Sequence, residues 1–134
     1  MFAKQTRQMG LNLPLFSFEL FEDPAEVKAS DGTLIGQWYT SADDPDGEFT
    51  KKYMQRFPGA SMYASANGYD TARLIAAALK AGQGGKDTYK YLASLKDFSD
   101  GVMGTYSVTE DHRFTLPAGV KVVTKDGFEK VLSK

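Results

Sequence analysis

With 134 residues, 42% of them apolar and 25% charged, the chain is sized for one domain and has the composition of an ordinary globular protein, which excludes a disordered one. Sixteen basic and seventeen acidic residues leave a net charge of −1, so the total lacks the basic surplus of a nucleic-acid binder or of a protein held on an acidic membrane. The absence of cysteine excludes a disulfide framework, cysteine metal sites and thiol catalysis, but fixes no compartment.

The first element is a helix over residues 2 to about 9, with Phe2, Gln5, Thr6 and Met9 on one face and Gly10 as its C-cap. It begins directly after Met1 without a capping segment, the pattern of a chain entered partway through an element. "MFAKQTRQMG" lacks the apolar stretch of about 7–15 residues that a signal peptide needs. No run approaches the ~18 apolar residues of a membrane span. Asn12-Leu13-Pro14 leads into a strand from Leu15 to Leu20, in which Phe16, Phe18 and Leu20 alternate with Ser17 and Glu19. The alternation sets one carboxylate at the end of a buried strand.

Asp23-Pro24 starts a short helix, with Asp23 as N-cap and Pro24 in the first helical position, closing on Ser30-Asp31-Gly32. Thr33 to Thr40 reads as a second strand and holds the only tryptophan. The polar loop "SADDPDGE" ends at Asp46, which caps a helix from about Gly47 to Phe57 with Phe49, Tyr53 and Phe57 as its apolar edge. Pro58-Gly59 stops it. The strongest helix runs from about Tyr63 to Ala81 and is apolar nearly all round, the pattern of a buried helix. A shorter one covers Lys86 to Ser94. The tail is β-like: a strand from Gly104 to Thr109, a polar turn at "EDHR", and a hairpin around Asp126-Gly127. The order is α-β-α-β-α-α-α-β-β-β, an α/β fold of lopsided form.

Catalytic and metal-binding patterns are weak. His112 is the only histidine and sits in a polar turn without partners for a metal or a catalytic base. The acids of "SADDPDGE" lack the spacing of a calcium loop, and a solvated loop fits them better. "GQGG" lacks the G-K-[ST] ending of a phosphate loop, and there is no G-x-S-x-G elbow. No enzyme, no metal and no cofactor is expected.

Five phrases in register carry a resemblance: "FAKQTRQMGLNLPLFSFE", "DGTLIGQWYTSADDPD", "SANGYDTARLIAAALKAG", "LASLKDFSDGVMGTYSVTEDHRF" and "VKVVTKDGFEKV". Together they resemble the C-terminal part of a type I periplasmic solute-binding protein, of the leucine/isoleucine/valine-binding class that serves ABC importers. The resemblance covers essentially the whole chain. It implies a partial Rossmann-like lobe with helices on a small mixed sheet and a C-terminal β-hairpin. Residues 1–32 would end one lobe, 33–42 would cross over, and 43–134 would close the other lobe. It also implies a periplasmic location and an ABC permease as partner, although this chain shows no signal peptide.

The resemblance gives Glu19 a role: the acid at the end of the matching strand accepts hydrogen bonds from the ligand's α-ammonium. A carboxylate at the carboxyl end of a strand suits that task; on the residues alone, the better reading is that Glu19 leaves the core to face solvent, and the resemblance tips the balance to the ligand. Ser17 and Phe18 would add a hydroxyl or backbone contact and an apolar wall. Tyr63 and Ala64 lie where the family sets a residue against the ligand side chain, with the register uncertain by one; packing of the aromatic on its own loop is the competing role. The implied solute is a branched-chain amino acid or a similar small carboxylate-bearing metabolite, bound by lobe closure without covalent chemistry. A ligand-sensing regulatory domain of the same fold, or a truncated segment that binds no ligand, are the alternatives. Strands expected to lie inside larger sheets leave open edges, from which self-association into a homo-oligomer follows.

Overall fold

Local signals fix several of the helix ends. Asp23 accepts a hydrogen bond from the Ala25 N–H at 2.9 Å, and Asp46 one from the Phe49 N–H at 2.7 Å. Each carboxylate satisfies a donor that the first helical turn leaves free. At the other ends, Gly10 and Gly82 adopt left-handed φ values of 77° and 74°. The paired bonds Leu11 N–H to Thr6 O and Gly10 N–H to Arg7 O close the first helix, and Gln83 N–H to Ala78 O and Gly82 N–H to Leu79 O close the long one. This is the glycine stop in which a residue with no Cβ turns the chain back over its last carbonyls.

The structure, a computed structural model, describes residues 2–133. It divides into two compact units, Met1–Ala42 with Ala118–Lys134, and Asp43–Pro117. The first unit holds α1 (Phe2–Gln8), β1 (Phe16–Phe18), a 3-10 turn (Glu19–Glu22), α2 (Pro24–Ala29), β2 (Trp38–Ala42), β5 (Ala118–Val123) and β6 (Phe128–Ser133). Its sheet runs β1-β2-β5-β6, with β1 parallel to β2 and the other neighbours antiparallel. Ala42 pairs with Ala118, so the chain leaves this sheet and re-enters it at neighbouring positions.

The two faces of that sheet differ. Tyr39 and Val123 are fully buried and pack with Ala3, Leu34, Leu15 and Phe21. Phe21 and Phe128 meet the Tyr39 ring edge-on at 6.1 and 5.9 Å. Phe16, Phe18 and Trp38 point to the other face and are 63%, 74% and 55% exposed. The expected buried strand Leu15–Leu20 is thus shorter and open on its aromatic side. Its last residues turn into the 3-10 helix, and the second strand starts at Trp38 after a run of turns over 31–36. In α1 the buried residues are Ala3 and Thr6, while Phe2 and Gln5 of the expected face, and Met9 just beyond the helix, are exposed.

The second unit contains α3 (Gly47–Arg56), α4 (Ser65–Lys80), α5 (Asp87–Ala93), β3 (Ser107–Val108) and β4 (Phe114–Thr115). On α4 only the stripe Ala66, Asp70, Leu74 and Ala78 is buried; Ile75 and Leu79 are exposed. The all-round apolar pattern therefore covers one face within this unit. Leu95, Met103 and Tyr106 complete the buried set. Among the described residues no helix is long and apolar enough to cross a membrane.

Candidate functional site

In the first unit, residues 11–22 shape the end of β1. Arg7 donates to the carbonyls of Leu11 and Leu13 at 2.7 and 2.8 Å, and the Leu15 N–H donates to Gln37 Oε1 at 2.6 Å. These bonds tie the approach to β1 from α1 and from the residue before β2. Three residues of parallel pairing follow, Phe16 with Trp38, Ser17 with Tyr39 and Phe18 with Thr40. The chain then coils into the 3-10 turn, which Glu19 opens and Glu22 closes.

Glu19 is exposed at the carboxyl end of β1. Ser17 is half-buried and Phe18 is exposed. Glu22, three positions on, is held from two strands. Its Oε1 accepts from Lys121 Nζ at 2.6 Å and from the Tyr39 hydroxyl at 3.2 Å. The Lys121 side chain is only 5% exposed and that of Glu22 22%, so the pair is largely withdrawn from water. Ionic hydrogen bonds of this kind are among the strongest side-chain contacts, and a buried lysine requires one. Neither Glu22 nor Lys121 stands out in a reading by motif. A signal for Lys121 existed: in the alternating run "VKVV" it shares a sheet face with the buried Val123.

Tyr63 and Ala64 belong to the second unit, where both are exposed just before α4. The Tyr63 N–H donates to Ser61 Oγ at 3.1 Å. Ala64 takes a left-handed φ of 58°, a conformation that costs a non-glycine residue strain, and α4 begins at the next residue. The structure therefore brings together Ser17, Phe18 and Glu19 in one unit and Tyr63 and Ala64 in the other.

The second unit also holds a buried acid that composition does not mark out. Asp70 is 1% exposed, and its carboxylate accepts from the Val102 N–H at 2.8 Å, the Met103 N–H at 3.0 Å and the Tyr106 hydroxyl at 2.8 Å. Three donors compensate its desolvation, and the contact fastens α4 to the 102–106 segment. Burial, followed by the bond to Asp70, pushes the Tyr106 phenol well above the usual tyrosine range. An acid in the i, i+4 stripe of α4 with Ala66, Leu74 and Ala78 was the available sequence signal. Among the described residues no group of three or more histidines or acids is arranged to hold a metal ion.

The periplasmic binding protein profile matches residues 1–127. Among curated proteins no match was found. Solved structures do match. A leucine binding protein from Thermotoga maritima superposes with a TM-score of 0.80 at 16% identity, over 98% of this chain and 40% of that one. An extracellular ligand binding receptor from Desulfohalobium retbaense gives 0.79 at 26% identity, over 97% and 24%. A branched-chain amino acid transporter substrate binding protein from Streptococcus pneumoniae, in complex with isoleucine, gives 0.77 at 23% identity, over 99% and 41%. The chain thus spans well under half the length of these relatives while matching them along nearly all of its own. With a family match over nearly its whole length, the chain belongs to the periplasmic binding protein family.

Proposed function

We propose that the chain is part of the solute-binding component of an ABC importer, located in the periplasm and delivering its solute to a membrane permease. The solute is a branched-chain amino acid or a similar small carboxylate-bearing metabolite. Glu19 receives its α-ammonium, Ser17 adds a polar contact and Phe18 an apolar wall, and Tyr63 and Ala64 face the solute's side chain. Binding proceeds by closure of two lobes without covalent chemistry. In this reading residues 1–32 end one lobe, 33–42 cross over, and 43–134 close the other.

The observation that carries this proposal is the placement of Glu19. It stands exposed at the carboxyl end of β1, on a turn whose other acid is already committed to Lys121 and Tyr39. One carboxylate of the turn is consumed by the fold and the other is available to a cation from outside. Leucine and isoleucine in the names of the solved relatives support the solute class. The test is isothermal titration of the purified chain with leucine, isoleucine and valine, repeated on Glu19→Gln. Saturable binding lost in the variant supports the assignment. Binding that survives Glu19→Gln removes Glu19 from the site.

The sheet favours a second property, association between copies. Phe16, Phe18 and Trp38 form an uncovered aromatic row beside β1, an edge strand of the described sheet. An apolar face next to a row of unpaired backbone groups is the usual template for pairing with another chain.

A further inference from the structure

A groove of about 590 Å³ runs between α3 and α4 in the second unit. Its volume lies within the few hundred to about a thousand Å³ typical of small-molecule sites. The residues of the solute proposal do not line it. Its apolar wall is built by helical spacing: Phe49, Tyr53 and Phe57 recur at i, i+4 and i+8 along α3 and its C-cap, and Tyr69 approaches from α4. Ring centroids lie 5.9 Å apart for Phe49 and Tyr53, 5.1 Å for Tyr53 and Phe57, and 5.2 Å for Phe49 and Tyr69. Tyr53 is fixed further by its hydroxyl, which donates to the Ser61 carbonyl at 2.8 Å and lies 3.0 Å from Ser65 Oγ. The wall is a preformed aromatic surface, and Phe57 and Tyr69 keep 46% and 44% of their area in solvent.

Of the six charged residues lining the groove, four form two ion pairs and a fifth, Asp46, is held by its helix N-terminus. Lys52 bonds Glu48 at 2.6 Å, and that contact holds its ammonium above the ordinary lysine value. Arg73 meets Asp100 at 3.5 Å and lies against the Tyr69 ring. Asp46 caps α3 at the positive end of the helix dipole. Arg56 is left. Its guanidinium stands over the Phe57 ring at 5.7 Å, and among the described residues it has no carboxylate partner. A stacked guanidinium keeps its fork of donors free at its edge, the geometry that receives a carboxylate through two parallel bonds.

We propose that the groove is a binding site for a small aromatic carboxylate, whose ring lies on Phe49, Tyr53 and Tyr69 and whose carboxylate pairs with Arg56. Both halves of the ligand are needed. A ring alone leaves the cation without a partner, and a carboxylate alone gains only an exposed ion pair, which is worth little in water. The flat faces available for offset or edge contact favour an aromatic body over a branched aliphatic one.

The test is titration of the full chain with indole-3-acetate, followed by backbone amide shifts in NMR, with indole and acetate as separate probes and with the Arg56→Gln, Arg56→Lys, Tyr69→Leu and Glu19→Gln variants. The expected result is saturable shifts at α3 and the start of α4 for indole-3-acetate, with indole and acetate each at least about tenfold weaker. Arg56→Gln should weaken indole-3-acetate about tenfold, Arg56→Lys by less, and Glu19→Gln not at all. Arg56 is exposed, so its variants retain the fold, which the unperturbed spectrum verifies. The proposal is overturned if indole-3-acetate fails to saturate, if Arg56→Gln binds as the parent does, or if the shifts fall at β1 and vanish in Glu19→Gln. That last pattern would instead favour the solute site.

Discussion

Lys121 on β5 donates to Glu22 in the turn after β1 at 2.6 Å, joining residues 99 positions apart in the chain. The two charges sit against the fully buried Tyr39, whose hydroxyl bonds the same oxygen of Glu22. The turn that presents Glu19 is therefore locked from its far end by the last part of the chain.

Replacing Lys121 by Met should destabilise the chain by about 2–4 kcal/mol, because it strands a half-buried carboxylate without its cation. Pairing it with Glu22→Gln should recover part of that loss, since no uncompensated charge remains. Equilibrium urea denaturation of the three variants measures both steps. Equal midpoints for the parent and Lys121→Met would show that the pair adds nothing.

Tyr106 gives a pH dependence of fixed sign. Burial and the bond to Asp70 raise its phenol in the folded chain, so the folded state keeps a proton that the unfolded state releases above about pH 10. Its contribution to stability is complete below that pH and is lost as pH climbs toward the raised folded value. Tyr106→Phe should fall less steeply in stability above about pH 10. Absorbance of ionised tyrosine should show one fewer group titrating with alkaline unfolding in the variant than in the parent.

Gly101 and Gly47 form a contrasting pair. A Cβ on Gly101 would lie 2.6 Å from the Tyr106 ring and 2.7 Å from the Gly104 carbonyl, whereas one on Gly47 meets nothing within 4 Å. Gly101→Ala should cost about 1–3 kcal/mol through overpacking. Gly47→Ala, at the start of α3, should be neutral or stabilise by up to about 1 kcal/mol. Thermal melts of the two variants read the difference directly.

Association through the open sheet face predicts a mass above that of one chain in light scattering. Phe18→Lys combined with Trp38→Lys places two charges on the aromatic row and should return the mass toward a single chain. A parent chain that already scatters as a monomer at micromolar concentration would remove this surface as an interface.

The parts of the fold legible in the sequence are those that local chemistry decides. Asp23 and Asp46 cap their helices, Gly10 and Gly82 end theirs, and Asp126-Gly127 turns the β5–β6 hairpin, with every bond reaching only a few residues. The strand ends were not legible. Alternation carried β1 on to Leu20, yet the chain coils at Glu19, and Glu22 takes its partners from positions 17 and 99 residues away. Asp70 was hidden in the same way, since its partners lie 32 to 36 residues on. On α4 the apolar pattern pointed to burial all round, but neighbours within the second unit cover only the stripe through Asp70 and Leu74. Of the residues proposed to bind ligands, Glu19 is suggested by family register alone, whereas Arg56 stands out only once the charges around the groove are paired off in space.

The pairing of Ala42 with Ala118 makes the β2–β5 pair a hairpin into which the whole 43–117 unit is spliced. The backbone bond from the Asp43 N–H to the Pro117 carbonyl, 2.9 Å, pinches the two strands of that splice together. An insertion whose ends meet can be exchanged as a cassette, because a short turn closes the same gap at little loop entropy. With a short turn joining Ala42 to Ala118, the first unit should form its four-stranded sheet without the second, and the second should tolerate grafting into another hairpin of the same spacing. The two pieces are separable at the level of the gene.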